Sequence, residues 1–232
     1  MNRFERRPGA APRVKICCIT TLEEAALAVR YGAAALGLVS DMPSGPGVIP
    51  EAQIAAIAAA VPPGVASFLL TSLQQVESII EQQRRCRVNT LQLCDRLERG
   101  SYAELRAALP GIAIVQVIHV SGPDSIEEAR TVAPHVDALL LDSGNPKLAV
   151  KQLGGTGRTH DWAVSRRIVE LAPAPVFLAG GLHAGNVAAA VREVRPFGVD
   201  LCSGVRTGGR LDQAKLAAFF DALTTAAEPP AR

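Results

Sequence analysis

The sequence lacks the marks of a secreted or membrane-bound chain. Its five cysteines are odd in number and include no CxxC pair. They lay out no disulfide framework, and a reducing cytoplasm is the expected setting. No apolar run reaches the roughly 20 residues of a membrane span, so no membrane is expected as a partner. Residues 1–13 are rich in Arg, Pro and Ala and contain no apolar stretch, so they do not read as a secretory signal. Residues 1–12 and 226–232 are expected to be disordered tails around one domain, 13–225. Neither sign of charge dominates, with 24 Lys and Arg against 22 Asp and Glu. Without a basic stripe, nucleic acid is not an expected partner. The GxGxxG turn of a dinucleotide-binding sheet is also missing after the first apolar run.

What is present is apolar and periodic. Hydrophobic residues make up 48% of the chain, enough for a large core. Short, almost continuously apolar runs lie at 14–17, 35–39, 66–70, 90–93, 113–119, 138–141, 176–178 and 199–202. Strands buried on both faces have this character. Helical patterns follow them at 22–31, 52–60, 73–84, 102–108, 125–133, 162–171, 185–191 and 211–223. Thr20 or Thr21, Ser72 and Ser125 read as helix starts, and Pro62-Pro63, Pro110, Pro173 and Pro175 as stops. Eight strand-then-helix units predict an α/β fold, a single-domain (β/α)8 TIM barrel. A doubly wound open sheet is the second reading.

In a barrel, the site lies at the C-terminal ends of the strands. The reactive residues there are Cys17-Cys18, Ser40-Asp41, Thr71, Cys94-Asp95, His119 and Asp142-Ser143. Three small-residue segments follow the last three runs: Gly154-Gly155-Thr156-Gly157-Arg158, Gly180-Gly181 and Ser203-Gly204. Glycine turns at barrel ends present backbone N–H groups to an anion, most often a phosphate. Blander readings stand beside each of these. Cys17 could be a buried thiol and Asp142 a loop cap. Arg158 could lie on phosphate or in solvent, and His119 could pack or catalyse. Trp162 and Asn186 read as packing and helix-start residues, and Asp200 as a support within the last strand. Cys17, Cys94, His119 and Cys202 could face one soft metal ion, although no ligand spacing supports it and apolar packing is the simpler reading.

The motifs together resemble the phosphoribosylanthranilate isomerase family. Val14-Lys15-Ile16-Cys17-Cys18-Ile19-Thr20 resembles that family's VKICGIT, and Thr90-Leu91-Gln92-Leu93 its VQLHG strand. Leu140-Leu141-Asp142-Ser143, Gly154-Gly155-Thr156-Gly157-Arg158 and Asp161-Trp162 resemble LLDS…GGTGK..DW. Leu178-Ala179-Gly180-Gly181-Leu182 with Asn186-Val187 resembles AGGL..NV, and Asp200 with Ser203-Gly204-Val205 resembles DVSSGVE. The match runs in order from about residue 14 to 220.

The resemblance implies an Amadori rearrangement of a phosphoribosylamine derivative in tryptophan biosynthesis, with no metal or cofactor. It implies Asp142 as general acid and Cys17 as general base. Lys15 and the phosphate-site helix end are candidates for the positive charge beside that thiol. Gly154, Gly155, Thr156, Gly157, Arg158, Gly180, Gly181, Ser203 and Gly204 would hold the phosphorylated small-molecule substrate, with His119 and Arg206 as further binding candidates. The protein is expected to act as a monomer or homodimer.

The departures cluster at the barrel mouth. Cys18 replaces the family's Gly, and Cys94-Asp95 its His-Gly. Pro46 stands where an Arg for the anthranilate carboxylate is expected. Arg206 replaces the Glu of SGVE and could supply the missing cation. His119 is not a family residue. A divergent relative with the phosphate site kept and a different phosphorylated ligand is the alternative reading.

Overall fold

The computed structural model describes residues 10–145, 148–155 and 157–227. Strands β1 (Arg13–Ile16), β2 (Ala35–Val39), β3 (Ala66–Thr71), β4 (Thr90–Leu93), β5 (Ala113–His119), β6 (Ala138–Asp142), β7 (Val176–Leu178) and β8 (Gly198–Leu201) form one closed parallel barrel. β8 returns to pair with β1, with Asp200 opposite Lys15. That pairing rules out the open sheet. Helices α1 (Leu22–Arg30), α2 (Glu51–Ala60), α3 (Val76–Cys86), α4 (Tyr102–Ala108), α5 (Asp124–Val132), α6 (Trp162–Leu171), α7 (Val187–Val194) and α8 (Gln213–Ala227) follow the strands in turn. No helix among the described residues is long and apolar enough to cross a membrane.

The strands read as continuous apolar runs because both faces are buried. Alternate residues serve two cores. Leu36 and Leu38 of β2 face outward with Val14, Ile16, Leu69, Leu91 and Leu139, packed with helix residues such as Ala28, Ile54, Ile79, Leu105 and Phe219. Ala35 and Val39 face inward with Phe68, Leu70, Val115, Val117, Leu140 and Phe177. Phe177 stands edge-on to both Phe68 and Phe197. Gly198 gives it room, since a Cβ there would run into the Phe177 ring and lie 2.9 Å from the Arg13 carbonyl.

The start of α1 agrees with the sequence reading, and other helix starts differ from it. Thr21 caps α1, accepting from the Glu24 N–H at 3.2 Å. Ser72 caps nothing: its hydroxyl donates to the Asp41 carbonyl. The backbone at Gln74 and Gln75 is held by Glu98 and Arg99, so α3 begins only at Val76. Ser125 lies inside α5, where its oxygen accepts from the Ser121 N–H. Leu211 belongs to a small hairpin, Arg206–Thr207 with Arg210–Leu211, turned by Gly208-Gly209 with φ of 57° and 80°. Two left-handed residues are what a tight hairpin turn needs. Asp212 then caps α8, accepting from Ala214 and Lys215.

The floor of the barrel is close-packed, so Gly198→Ala is expected to lower stability by about 1–3 kcal/mol. A fall in melting temperature without loss of barrel secondary structure checks it.

Candidate active site

The C-terminal ends of the strands open on a cleft of about 700 Å³ that includes solvent at its mouth. Of the residues singled out in the sequence, Cys17, Asp142, Gly154, Gly155, Gly157, Gly180, Gly181 and Ser203 line it. Gly204, His119, Arg158 and Arg206 do not. Thr156 lies outside the described residues.

The three glycine segments pack against one another. Gly157, Gly180 and Gly181 have φ of 67°, 83° and 61°, where a side chain is strained. A Cβ on Gly181 would lie 2.8 Å from the Arg158 carbonyl carbon, and one on Gly157 would meet the Ser203 hydroxyl at 3.6 Å. Gly204 sits against the Leu182 carbonyl with no room for a Cβ. Asn186 pins the middle turn, donating to the Gly181 carbonyl and accepting from the His183 N–H, both at 2.9 Å. Among the described residues, the backbone N–H groups of Gly157, Gly180, Gly181, Ser203 and Gly204 have no hydrogen-bond acceptor. Bare amides on turns at one end of a cleft, here Gly157, Gly180, Gly181 and Ser203 in its lining with Gly204 next to them, can hold an anion.

Asp142 ends β6 with 8% of its surface exposed. Its Oδ1 accepts from the Ser143 N–H at 2.7 Å, and its Oδ2 is so close to Gly154 that a Cβ there would come within 2.7 Å. Burial raises its pKa above the ordinary carboxylate range, although Ser143 and nearby His119 pull the other way. His119 stands beside it in register, with Nε2 on the Cys94 carbonyl at 2.9 Å and Nδ1 unpartnered among the described residues. The histidine is therefore a half-buried neighbour of the acid and is not in the cleft wall.

Cys17 follows β1. Its sulfur is accommodated by Gly37 of β2, where a Cβ would come within 2.9 Å of it. One layer below, Lys15 is fully buried with Nζ 2.9 Å from Asp200, at an angle outside hydrogen-bond geometry. Burial works against the lysine's charge, but Asp200 and the Cys17 and Cys18 thiols outweigh it and raise its pKa.

The departures in sequence have clear structural places. Cys18 keeps a left-handed backbone, φ 62°, at the position of the family's glycine. Pro46 packs on Gly155, closing the second loop against the sixth. Arg206 is committed elsewhere: it binds Glu24 at 2.8 Å, the Gly209 carbonyl, and the Cys17 and Cys18 carbonyls. It braces the loop after β1 from behind and does not supply a cation to the mouth. Burial pushes the Cys94 thiol well up. Among the described residues no group of three His, Cys, Asp or Glu is placed to hold a metal ion, so Cys17, Cys94, His119 and Cys202 do not converge as ligands.

The sequence reading missed Lys151. Its Nζ pairs with Asp95 at 2.5 Å and reaches Gln74 at 3.3 Å, while Ser44 donates to its carbonyl. The sixth loop is thus strapped across the mouth to the ends of β2, β3 and β4. No motif marks this lysine; the only signal is a cation just ahead of the glycine turn.

A closed barrel with its working cleft at the C-terminal strand ends places the chain among (β/α)8-barrel enzymes. A family model described as N-(5'phosphoribosyl)anthranilate (PRA) isomerase matches residues 14–222. An N-(5'-phosphoribosyl)anthranilate isomerase of Halobacterium salinarum is 39% identical over 94% of this chain and 98% of its own. That of Methanocella arvoryzae is 36% identical over 90% and 95%. The phosphoribosyl anthranilate isomerase structure from Thermus thermophilus, 30% identical, superposes with a TM-score of 0.75 over 92% of this chain and 98% of that one. The chain belongs to the phosphoribosylanthranilate isomerase family.

The raised pKa of Asp142 has a stability consequence. The fold binds this proton more tightly than the unfolded chain, so the ionised carboxylate weakens the fold as pH rises above the ordinary Asp range. Asn keeps the acceptor for Ser143 and carries no charge. Asp142→Asn is expected to melt at or above the wild-type temperature at pH 7, with the ionisation difference vanishing near pH 4 and below. Paired melting curves across that range check it.

Proposed function

We propose that this protein isomerises phosphoribosylanthranilate to the corresponding aminoketose phosphate, a step of tryptophan biosynthesis. The observation that carries the reading is one cleft holding a buried carboxyl with a raised pKa, a strand-end thiol and a set of bare amides. The family match over residues 14–222 supports it over a different phosphorylated ligand.

The phosphate sits on the amides of Gly157, Gly180, Gly181, Ser203 and Gly204, with Gly154, Gly155 and Arg158 shaping the loop. Asp142, whose proton burial holds more tightly, gives it to the furanose ring oxygen as the ring opens to a Schiff base. Cys17 acts as the base and takes the proton from C2 of the sugar. The enolamine so formed tautomerises to the ketone. Atoms and charge balance, since one proton enters and one leaves. The Lys15 ammonium supplies fixed positive charge one layer below the thiol.

The other half of the cleft is apolar, with Val39, Met42, Pro46, Leu70 and Leu153, and takes the benzene ring. The ring's carboxylate still needs a cation. Lys151 meets it by leaving Asp95, whose neighbour Cys94 lines the cleft. The reaction runs in the cytoplasm, which suits five free thiols.

Turnover of freshly made phosphoribosylanthranilate, followed by anthranilate fluorescence, tests the reading. Cys17→Ala and Asp142→Ala are each expected to lower kcat by about 10²–10⁴-fold. Wild-type inactivity, or two fully active variants, would sink it. Lys151→Ala is expected to raise KM about 10- to 100-fold with a smaller change in kcat, the loss of a charged hydrogen bond. Lys151→Arg should recover part of that loss. An unmoved KM would remove Lys151 from carboxylate recognition while leaving the reaction intact.

A further inference from the structure

Two thiols in the cleft have no part in this chemistry. Cys18, after β1, and Cys202, after β8, both line it, and their sulfurs share a hydrogen bond at 2.6 Å although the residues are 184 positions apart. A disulfide bond is about 2.05 Å long, so the pair lies only slightly beyond bonding distance. Neighbouring segments hold it there. The Cys17 N–H bonds the Leu201 carbonyl at 2.8 Å, and Gly47 leaves space for the Cys18 side chain, where a Cβ would come within 2.5 Å of its own. Cys18 also holds a left-handed φ that favours glycine, at a cost of about 1 kcal/mol.

The two thiols differ in character. Cys202 is held below the ordinary thiol range, first by its hydrogen bond with Cys18 and then by the Arg206 guanidinium, against its burial. Cys18 is held well above that range, chiefly by hydrogen bonds with Cys17 and Cys202 and by burial. Cys202 is therefore the readier of the two to give up its proton and attack. Cys202 is the more exposed of the two.

We propose that Cys18 and Cys202 are a thiol modification site that hydrogen peroxide converts to a reversible disulfide across the β1–β8 seam of the cleft. The Cys202 thiolate attacks one peroxide oxygen, the O–O bond breaks, and a sulfenic acid and hydroxide form. The Cys18 sulfur then attacks the sulfenic sulfur, the S–S bond forms, and hydroxide leaves as water on taking the Cys18 proton. In sum, two thiols lose two electrons and two protons, and one peroxide becomes two waters. A dithiol reverses the step by exchange.

The test is peptide mapping of the full chain before and after dilute hydrogen peroxide, with remaining thiols alkylated. The expected product is a crosslinked Cys18–Cys202 peptide pair lighter by two hydrogens, lost on treatment with dithiothreitol. Cys17→Ser should still form it. Cys202→Ser and Cys18→Gly should each abolish it, the second restoring a residue suited to its backbone. A crosslink through Cys17, or sulfinic acid at Cys202 with Cys18 still alkylated, would overturn the proposal. None of these readouts depends on the substrate assignment.

Discussion

A lysine with no access to water sits inside the barrel, and it is tolerated because Asp200 faces it across the closing seam at 2.9 Å. Removing one partner from such a buried pair costs about 3–5 kcal/mol, because the other charge is left without compensation. The rest of the site is stacked on this pair. Alternate residues of a strand share a face, so Cys17 stands above Lys15 and Cys202 above Asp200. Gly37 leaves room for both the Lys15 ammonium and the Cys17 sulfur. The Lys15 ammonium lies over the Phe68 ring, 5.3 Å from its centroid. Barrel closure, the position of the thiol and the charge beneath the cleft are thus one constraint.

The two ends of the cleft are built on different principles. At the ends of β6, β7 and β8 the backbone does the work, and close approach leaves no space for side chains at Gly181 or Gly204. Any change there displaces a turn, so this end is rigid. At the ends of β2, β3 and β4 side chains do the work, and these can be exchanged without moving the barrel. Pro46 against Gly155, Lys151 on Asp95 and Ser44 on the Lys151 carbonyl are this chain's own arrangement of that end.

Most of the barrel was legible in the sequence because strands buried on both faces cannot disguise their apolar runs. The glycine turns and Asp142 were legible too, since backbone geometry and strand-end position restrict the residue type. What escaped depended on contacts between distant segments. Ser72 looks like a cap until Glu98 and Arg99 claim the backbone after it. Arg206 looks like a mouth cation until Glu24, 182 residues away, is seen to hold it. The Gly208-Gly209 turn was a readable hairpin signal, and it moves the start of α8 to Gln213. No spacing rule could bring Cys18 to Cys202 or Lys151 to Asp95.

On the proposed function, one cleft divides into an amide-lined phosphate end and an apolar end served by Lys151, with Asp142 and Cys17 between. A crystal structure of this protein with a reduced, non-reacting analogue of the aminoketose phosphate product tests it most directly. The phosphate is expected within hydrogen-bonding distance of the Gly157, Gly181 and Gly204 amides, C2 of the sugar beside the Cys17 sulfur, and the ring carboxylate on Lys151. A ligand lying in the reverse direction, or bound outside the cleft with Asp142 and Cys17 untouched, would contradict it.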